Sequence, residues 1–282
     1  MRELFFKLFS DTPFCDGAVL IESFNIWHIL YLILIIGSII GSTFLLKNKS
    51  VTTKNKVLSI LAVTLAVSYF SDWFVHDFVY SDDGVTGAGL NMDKLPFHIC
   101  TVMCPVILFA QFNKRIQKFI EPIAALAIVA PLMYVTYPSS GVGGEPWCYR
   151  TVQTMFFHGV ELAWGFLTVA LGKTKFAWKN IWKAAVGLGL IAVWAKLGNI
   201  LLGYNWFFLE SDPFGIGLNV YILFFAVPVA IFAMVALIYS IYYGVIAIMK
   251  KLENKKITAT ETVINDAEVE AEAAVAEDKE QE

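Results

Sequence analysis

The sequence has few charged side chains for its length. Only 16% of its 282 residues are Asp, Glu, Lys or Arg, whereas a soluble domain carries about 25%. Hydrophobic residues make up 57% of the chain and aromatic residues 15%. This composition excludes a disordered chain, a coiled coil and a soluble enzyme of ordinary composition. The net charge of −3 gives no basis for nucleic-acid binding, so no nucleic-acid partner is expected.

The sequence also lacks the cysteine and histidine patterns of a metal site. Its four cysteines include no C-x-x-C pair, and its four histidines have no spacing to cysteine that fits zinc. We therefore expect neither a metal ion nor another cofactor.

Long apolar stretches take the place of the missing charges. A membrane-crossing helix needs about 20 predominantly apolar residues, and runs of this length without period-two alternation indicate helices rather than a barrel. The seven predicted spans are 23–46, 56–79, 96–112, 119–138, 150–172, 180–203 and 218–249. The predicted fold class is all-α, a polytopic membrane protein with a bundle of seven transmembrane helices.

Basic residues are concentrated on alternate connections between these spans. Fifteen lie on one side of the predicted bundle and four on the other, which predicts an outer N-terminus and a cytoplasmic C-terminus in the cell membrane. Residues 1–22 are then an extracellular segment with an interfacial helix, and 23–251 form the transmembrane domain. Residues 252–282 carry a net charge of −7 and predict a disordered or loosely helical cytoplasmic tail. Membrane lipids are the expected partners.

Titratable side chains occur inside several spans, where each costs about 2.5–3.5 kcal/mol to insert. Helical spacing places them in pairs on common faces, and the predicted orientation brings all of them to the outer half of the bundle. These features predict one outward-facing polar site within the membrane. Its candidate catalytic residues are His98, His158 and Cys100, and its supporting residues are Asp72, His76, Glu161, Lys196 and Asn199.

Structural roles are the alternative for several of these residues. Lys196 and Glu161 can form a buried ion pair that only fixes the helix register. Glu121 and His28 are expected at the membrane interface. On the outer side, Cys15 and Cys148 can form a disulfide or remain as two thiols, and the sequence does not distinguish these states.

Three short segments carry a resemblance to a known family. They read Leu-Pro-Phe-His-Ile-Cys at 95–100, Phe-Phe-His at 156–158, and Tyr-Asn-Trp at 204–206 continuing to Ser-Asp-Pro-Phe at 211–214. In this order they resemble the YwaF family of bacterial multi-pass membrane proteins, over most of residues 20–250. A distant mammalian relative of that family is a transmembrane acyltransferase that builds polyunsaturated ether phospholipids.

The resemblance implies a seven-helix bundle with one histidine at His98 and a second at His158. In the acyltransferase a cysteine nucleophile precedes the first histidine, but here that position is Phe97, which cannot form a thioester. Cys100 fits the Leu-Pro-x-His-x-Cys pattern of the bacterial branch. His98 and Cys100 face about 200° apart on a regular helix, unless Pro96 distorts the first turn. His158 can serve as the base for Cys100 instead if the fifth span packs against that face.

Three functions are consistent with these features. The first is a membrane enzyme that transfers or remodels lipid acyl chains. Its nucleophile is then Cys100 or an activated hydroxyl, and its base is His98 or His158, oriented by Asp72 or Glu161. The second is a transporter or permease for a small solute, with or without proton coupling; the lack of an internal repeat speaks against it, whereas interior prolines such as Pro131 leave broken helices open. The third is a membrane sensor. A retinal-binding sensor is disfavoured because the last span has no lysine before Lys250.

Overall fold

The computed structural model describes residues 21–79, 95–137, 145–210 and 219–280, and within these ranges the side chains of 73–79, 150 and 256–280 are not described. The described residues form helices and connections without a strand, so the all-α prediction is confirmed for this part of the chain. Its seven long helices are α1 (Ile26–Leu46), α2 (Val51–Val79), α3 (Ile99–Phe112), α4 (Ile120–Thr136), α5 (Tyr149–Ala170), α6 (Ile181–Leu202) and α7 (Val220–Glu280). Short helical turns occur at Lys114–Gln117, Trp178–Asn180 and Trp206–Phe208.

Each long helix coincides with one predicted apolar stretch, with local differences at the ends. Helix α3 begins three residues later than the predicted span because His98 is its N-cap, with an extended backbone. Helix α6 ends at Leu202, and its C-cap is Gly203, whose φ of 67° is the left-handed conformation that glycine adopts without strain.

The last helix is longer than the sequence predicted. For the tail after residue 251 the prediction was a disordered or loosely helical segment, and the backbone of α7 is helical to Glu280. Residues 252–280 contain no glycine or proline and many Ala, Glu and Lys, which are strong helix formers. The chain divides within α7 into a first compact unit ending at Ala236 and a second beginning at Leu237.

Polar contacts define the direction of the helices in the first unit. Gln111, at the end of α3, donates from Nε2 to Ser59 Oγ near the start of α2, at 2.8 Å. Tyr149, the first residue of α5, lies 3.4 Å from the Ser71 hydroxyl in the second half of α2. Both α3 and α5 therefore run antiparallel to α2, and parallel to each other.

The remaining contacts continue this alternation. Tyr134, near the end of α4, stacks on His158 in the first half of α5. Gly198, near the end of α6, lies against Phe97, just before α3. His28, near the start of α1, lies 2.7 Å from the carbonyl oxygen of Val135, near the end of α4. Successive helices from α1 to α6 thus run in opposite directions, as in an up-and-down bundle.

Helices α4 and α5 form the core. Helix α5 packs on α1, α2, α3 and α4, while α4 packs on α3, α5 and α6. Every residue of α4 from Ile120 to Pro131 is buried. Gly165 allows close approach of the two helices, because a Cβ there would lie 2.9 Å from Ile128 and 3.0 Å from the backbone of Ala127.

The outer helices expose large apolar side chains. Only His28 and Ile39 are buried on α1, and Leu34, Leu190 and Phe225 are each more than 60% exposed. An apolar surface of this extent is typical of a membrane environment. By length and composition, three segments of the described residues can cross a membrane: Ile26–Leu46, Trp178–Leu202 and Val220–Lys255. Helices α3 and α4 are shorter and apolar.

One end of the alternating bundle is strongly basic. The connections from α1 to α2, α3 to α4 and α5 to α6 all lie at this end. Their basic residues, including those in the adjoining helical turns, are Lys47, Lys49, Lys54, Lys56, Lys114, Arg115, Lys118, Lys173, Lys175, Lys179 and Lys183. We call this the basic end, and the opposite one the polar end.

Candidate functional site

The buried face of α5 carries several polar groups of the core. His158 is 5% exposed, and Glu161, Trp164 and Thr168 are 0% exposed. Helical periodicity places His158, Glu161 and Thr168 within one sector of the helix surface. The sequence spacing of His158 and Glu161 had predicted their common face, but not that Trp164 and Thr168 extend it.

The imidazole of His158 is held in one orientation. Its Nδ1 lies 2.8 Å from the carbonyl oxygen of Thr154, one turn earlier, and the ring stacks on Tyr134 with centroids 3.8 Å apart. Phe157 meets the ring edge-on at 5.2 Å. Because a carbonyl only accepts hydrogen bonds, Nδ1 carries the proton in the neutral ring and Nε2 carries the basic lone pair.

Cys100 lies on the face of α3 that is turned toward the bundle. It shares the i, i+3, i+4, i+7 pattern with Met103, Cys104 and Ile107, which are all buried, and is itself half-buried. The thiol of Cys104 is within electrostatic range of Glu161, so this face of α3 is turned toward α5.

Cys100 and His158 occur at similar levels of the bundle. Cys100 precedes Cys104 by four residues, or about 6 Å along the helix, and His158 precedes Glu161 by three residues, or about 4.5 Å. Because α3 and α5 are parallel, both displacements point toward the polar end.

His98 has the opposite hydrogen-bond arrangement. Its Nδ1 accepts from the backbone N–H of Phe207 at 3.3 Å, and its ring lies 5.9 Å from that of Phe208. A nitrogen that accepts carries no proton, so the neutral ring has its proton on Nε2. Phe207 and Phe208 have φ values of 60° and 54°, a left-handed conformation that is strained for a bulky residue.

Lys196 and Asn199 hold the segment that follows α6. Lys196 Nζ donates to Glu210 Oε1 at 2.6 Å. Asn199 accepts from the backbone N–H of Trp206 at 2.7 Å and donates to its carbonyl at 3.1 Å. The alternative of an ion pair between Lys196 and Glu161 is therefore wrong, because Lys196 pairs with Glu210 in the segment that follows α6.

Phe97 occupies a tightly packed aromatic position. Its ring lies 5.0 Å from that of Trp194 and 4.5 Å from that of Trp206. Gly198 makes room for it, since a Cβ there would lie 2.6 Å from the Phe97 ring. Phe97 therefore has a packing role.

Of the remaining predicted site residues, Asp72 lies beside the start of α5, and others fall outside the described part of the chain. Asp72 is buried on α2 within electrostatic range of Tyr149. The side chain of His76 and all of Cys15 lie outside the described residues, so the disulfide to Cys148 stays a prediction. Cys148 Sγ lies 3.1 Å from Thr151 Oγ1.

Two residues expected at the interface are buried in the bundle. His28 Nδ1 accepts from Phe24 N at 2.8 Å, and Nε2 donates to the carbonyl of Val135 at 2.7 Å. Glu121 accepts from Ala177 N and Asn180 Nδ2, at 2.7 and 2.6 Å. Both side chains join a helix to a neighbouring segment. Sequence spacing does not reveal these contacts, because the partners are backbone groups or residues distant in sequence.

Comparison with protein families identifies the chain. A family model described as the TMEM164 family matches residues 23–242. The chain belongs to the TMEM164 family. The matched region includes all of α1 to α6, and with them His98, Cys100 and His158. Neither the curated proteins nor the solved structures include a match.

Membership supports the membrane assignment made from composition. The TMEM164 family is a family of multi-pass membrane proteins, in agreement with the exposed apolar faces of α1, α6 and α7. The YwaF resemblance is narrower than this match and stays a prediction.

Proposed function

We propose that this TMEM164-family protein transfers acyl chains between phospholipids at a site in the polar half of the bundle. All seven long helices cross the cell membrane in this proposal, with the basic end in the cytoplasm and the polar end outside. The alternation of α1 to α6 supports this orientation, because it collects the basic connections on one side. Candidate residues of the polar half then face the outer leaflet.

The packing of Cys104 toward Glu161 carries the proposal, because helix geometry then puts Cys100 on the face of α3 turned toward α5, at a level similar to that of His158. A thiol needs a nearby base to become a nucleophile, and a fixed imidazole supplies one. The Thr154 carbonyl orients His158 as the third group of a catalytic triad would. The proposal therefore assigns the nucleophile to Cys100 and the base to His158.

The reaction balances without a cofactor. His158 Nε2 accepts the Cys100 proton, and the thiolate attacks the ester carbonyl of a phospholipid. The C–O bond breaks, the acyl group is held as a thioester, and the leaving alkoxide takes the proton from His158. A lysophospholipid hydroxyl then attacks the thioester while His158 accepts its proton. The C–S bond breaks, and the thiolate takes this proton from His158, which restores the Cys100 thiol.

His98 acts in this proposal as a hydrogen-bond donor rather than a base. Its Nδ1 accepts from Phe207, so its Nε2–H is the group that can stabilise negative charge on an ester oxygen. The arrangement of two histidines with opposite tautomers supports distinct roles for them.

Comparative lipidomics tests the proposal in cells. We compare cells without the protein with cells that express wild type, His158→Gln, Cys100→Ser or His98→Gln at equal levels. Wild type is expected to change phospholipid acyl composition, and loss of the base or nucleophile to abolish the change. General-base catalysis raises a reaction rate about 10²–10⁴-fold, so His158→Gln is not expected to keep partial activity.

Two matched variants separate catalysis from folding. His28→Gln changes a buried histidine whose bonds join α1 to α4, and Cys104→Ser changes the thiol one turn beyond Cys100. Both are expected to preserve activity per folded molecule. If expression of wild type leaves the phospholipid acyl composition unchanged, the enzyme proposal is contradicted. The transporter is then favoured, and solute-uptake assays test it.

A further inference from the structure

Three neighbouring side chains in the core have polar atoms without hydrogen-bond partners among the described residues. These are both carboxyl oxygens of Glu161, the indole Nε1 of Trp164 and the hydroxyl of Thr168. All three residues are fully buried. Buried polar groups in native proteins are hydrogen-bonded in at least about 90% of cases, to protein or to ordered water. A cluster of such groups on one helix therefore points to a bound ligand.

The chemistry of the cluster selects the ligand. The indole N–H only donates, so its partner must accept, which a metal cation does not do. The carboxyl and hydroxyl groups can each accept and donate. Water satisfies all three, because it donates to one group while accepting from the next.

The surroundings determine the protonation of the carboxyl. Cys104 is the titratable group of α3 that faces Glu161. The part of α4 opposite Gly165 consists of Ala124, Ala127 and Ile128.

Among the side chains that the structure describes, the other neighbours of α5 bring no cation to Glu161. Helix α1 presents Ile35 to Gly159, and α2 brings Asp72 and Tyr69 toward the start of α5, near Tyr149 and Phe157. An ionised carboxylate without a cation or donor is very costly in such a core.

We propose that Glu161, Trp164 and Thr168 form an internal water site in which Glu161 carries an exchangeable proton. The site lies one turn from His158 on the same face of α5. Thr154 and His158 continue this face toward the polar end, which gives the proton a route of polar groups to exchange with the outside. The carboxylic acid releases its proton to the bound water and regains it from there, so charge and atoms balance.

Infrared spectroscopy of the full chain in lipid nanodiscs tests the proposal. With ¹³C-labelled glutamate, wild type is expected to show the carbonyl band of a protonated glutamic acid at neutral pH. Exchange into D₂O is expected to move this band to lower frequency, since the proton is exchangeable. Glu161→Gln should lose the band, whereas Glu121→Gln, which alters a hydrogen-bonded glutamate, should keep it.

Two near-isosteric variants test the water site without removing the carboxyl. Trp164→Phe and Thr168→Val each delete one polar group, and each is expected to shift the Glu161 band because the shared water is rearranged. A wild type without a protonated-glutamate band overturns the proposal, as does a band that D₂O leaves unmoved. A band unaffected by both variants also contradicts it. These readouts measure Glu161 itself and are independent of acyl transfer.

Discussion

Asn199 joins α6 to the following segment through one buried amide. Its side chain satisfies both the N–H and the carbonyl of Trp206. Asn199→Ala leaves these backbone groups without their partners, so we predict a loss of unfolding free energy of about 1–3 kcal/mol. Thermal unfolding in detergent measures it. Ile200→Ala, on the adjacent exposed position, is the control; equal melting temperatures for the two variants would refute the assignment.

Lys196 and Glu210 form an ion pair near the surface of the first unit, with 29% and 32% of their side chains exposed. We predict that Lys196→Met and Glu210→Gln, alone or combined, change stability by about 0–1 kcal/mol, as is usual for accessible pairs. A double-mutant cycle measures the coupling. A loss of about 3–5 kcal/mol for Lys196→Met, the cost of breaking a buried pair, would instead support pairing with a buried carboxylate.

Lys173, beyond the end of α5, gives a pH prediction. Partial burial lowers the pKa of its ammonium group, while its Nζ donates to Gln111 Oε1 at 2.8 Å. The folded state then releases this proton at lower pH than the unfolded state. Between the two pKa values the unfolded chain binds more protons, so this group's contribution to stability rises with pH.

The measurement compares wild type with Lys173→Arg, which stays charged throughout this range. Melting temperatures are recorded at increasing alkaline pH below the usual lysine pKa. As pH rises, the melting temperature of wild type is expected to increase relative to that of Lys173→Arg. Parallel curves would show that Lys173 does not titrate differently on folding.

At the scale of elements, two glycines of α6 make a matched pair. Gly198 has no room for a Cβ beside Phe97, whereas Gly189 has nothing within 4 Å. We predict that Gly198→Ala destabilises the protein by about 1–3 kcal/mol through overpacking. Gly189→Ala should be neutral or stabilising, because alanine is the better helix former.

Unfolding measurements on both variants test this packing. The double variant Gly198→Ala, Phe97→Leu should regain part of the lost stability, since the smaller side chain makes room for the methyl group. Equal stability of the two single glycine variants would contradict the close approach of α6 to Phe97.

The helices themselves were largely predictable from apolar length, because seven long stretches stand between charged connections. The ends of the helices were less predictable. His98 became an N-cap, and α7 continued to Glu280 because helix propensity acts where neither glycine nor proline intervenes. The length of an apolar stretch shows whether a helix can cross a membrane. It does not show where a polar continuation of that helix ends.

At the scale of the molecule, the proposed orientation predicts which end is accessible from outside. We expect Lys49→Cys and Lys175→Cys, at the basic end, to react with a membrane-impermeant maleimide only after cells are permeabilised. Trp147→Cys, at the polar end, should react in intact cells because the Trp147 side chain is exposed. Wild type gives the background from native cysteines. The reverse labelling pattern would invert the orientation.

The candidate site was predictable only where its residues share a helix. A spacing of three residues relates His158 to Glu161, and both are buried on α5. The partner of Lys196 was not predictable, because Glu210 lies in a connection whose path depends on Asn199 and Trp206. Nor does spacing reveal the stack of Tyr134 on His158, since residues from different helices meet only through tertiary packing.

Acyl transfer by purified protein tests the central proposal most directly. The protein is reconstituted with a phospholipid carrying a labelled acyl chain and an unlabelled lysophospholipid. We predict labelled product and a hydroxylamine-sensitive label on the wild-type chain. Cys100→Ser should lose both, His158→Gln should lose transfer, and His28→Gln and Cys104→Ser should retain it. Undetectable transfer by wild type, or full transfer by Cys100→Ser and His158→Gln, would contradict the proposed site.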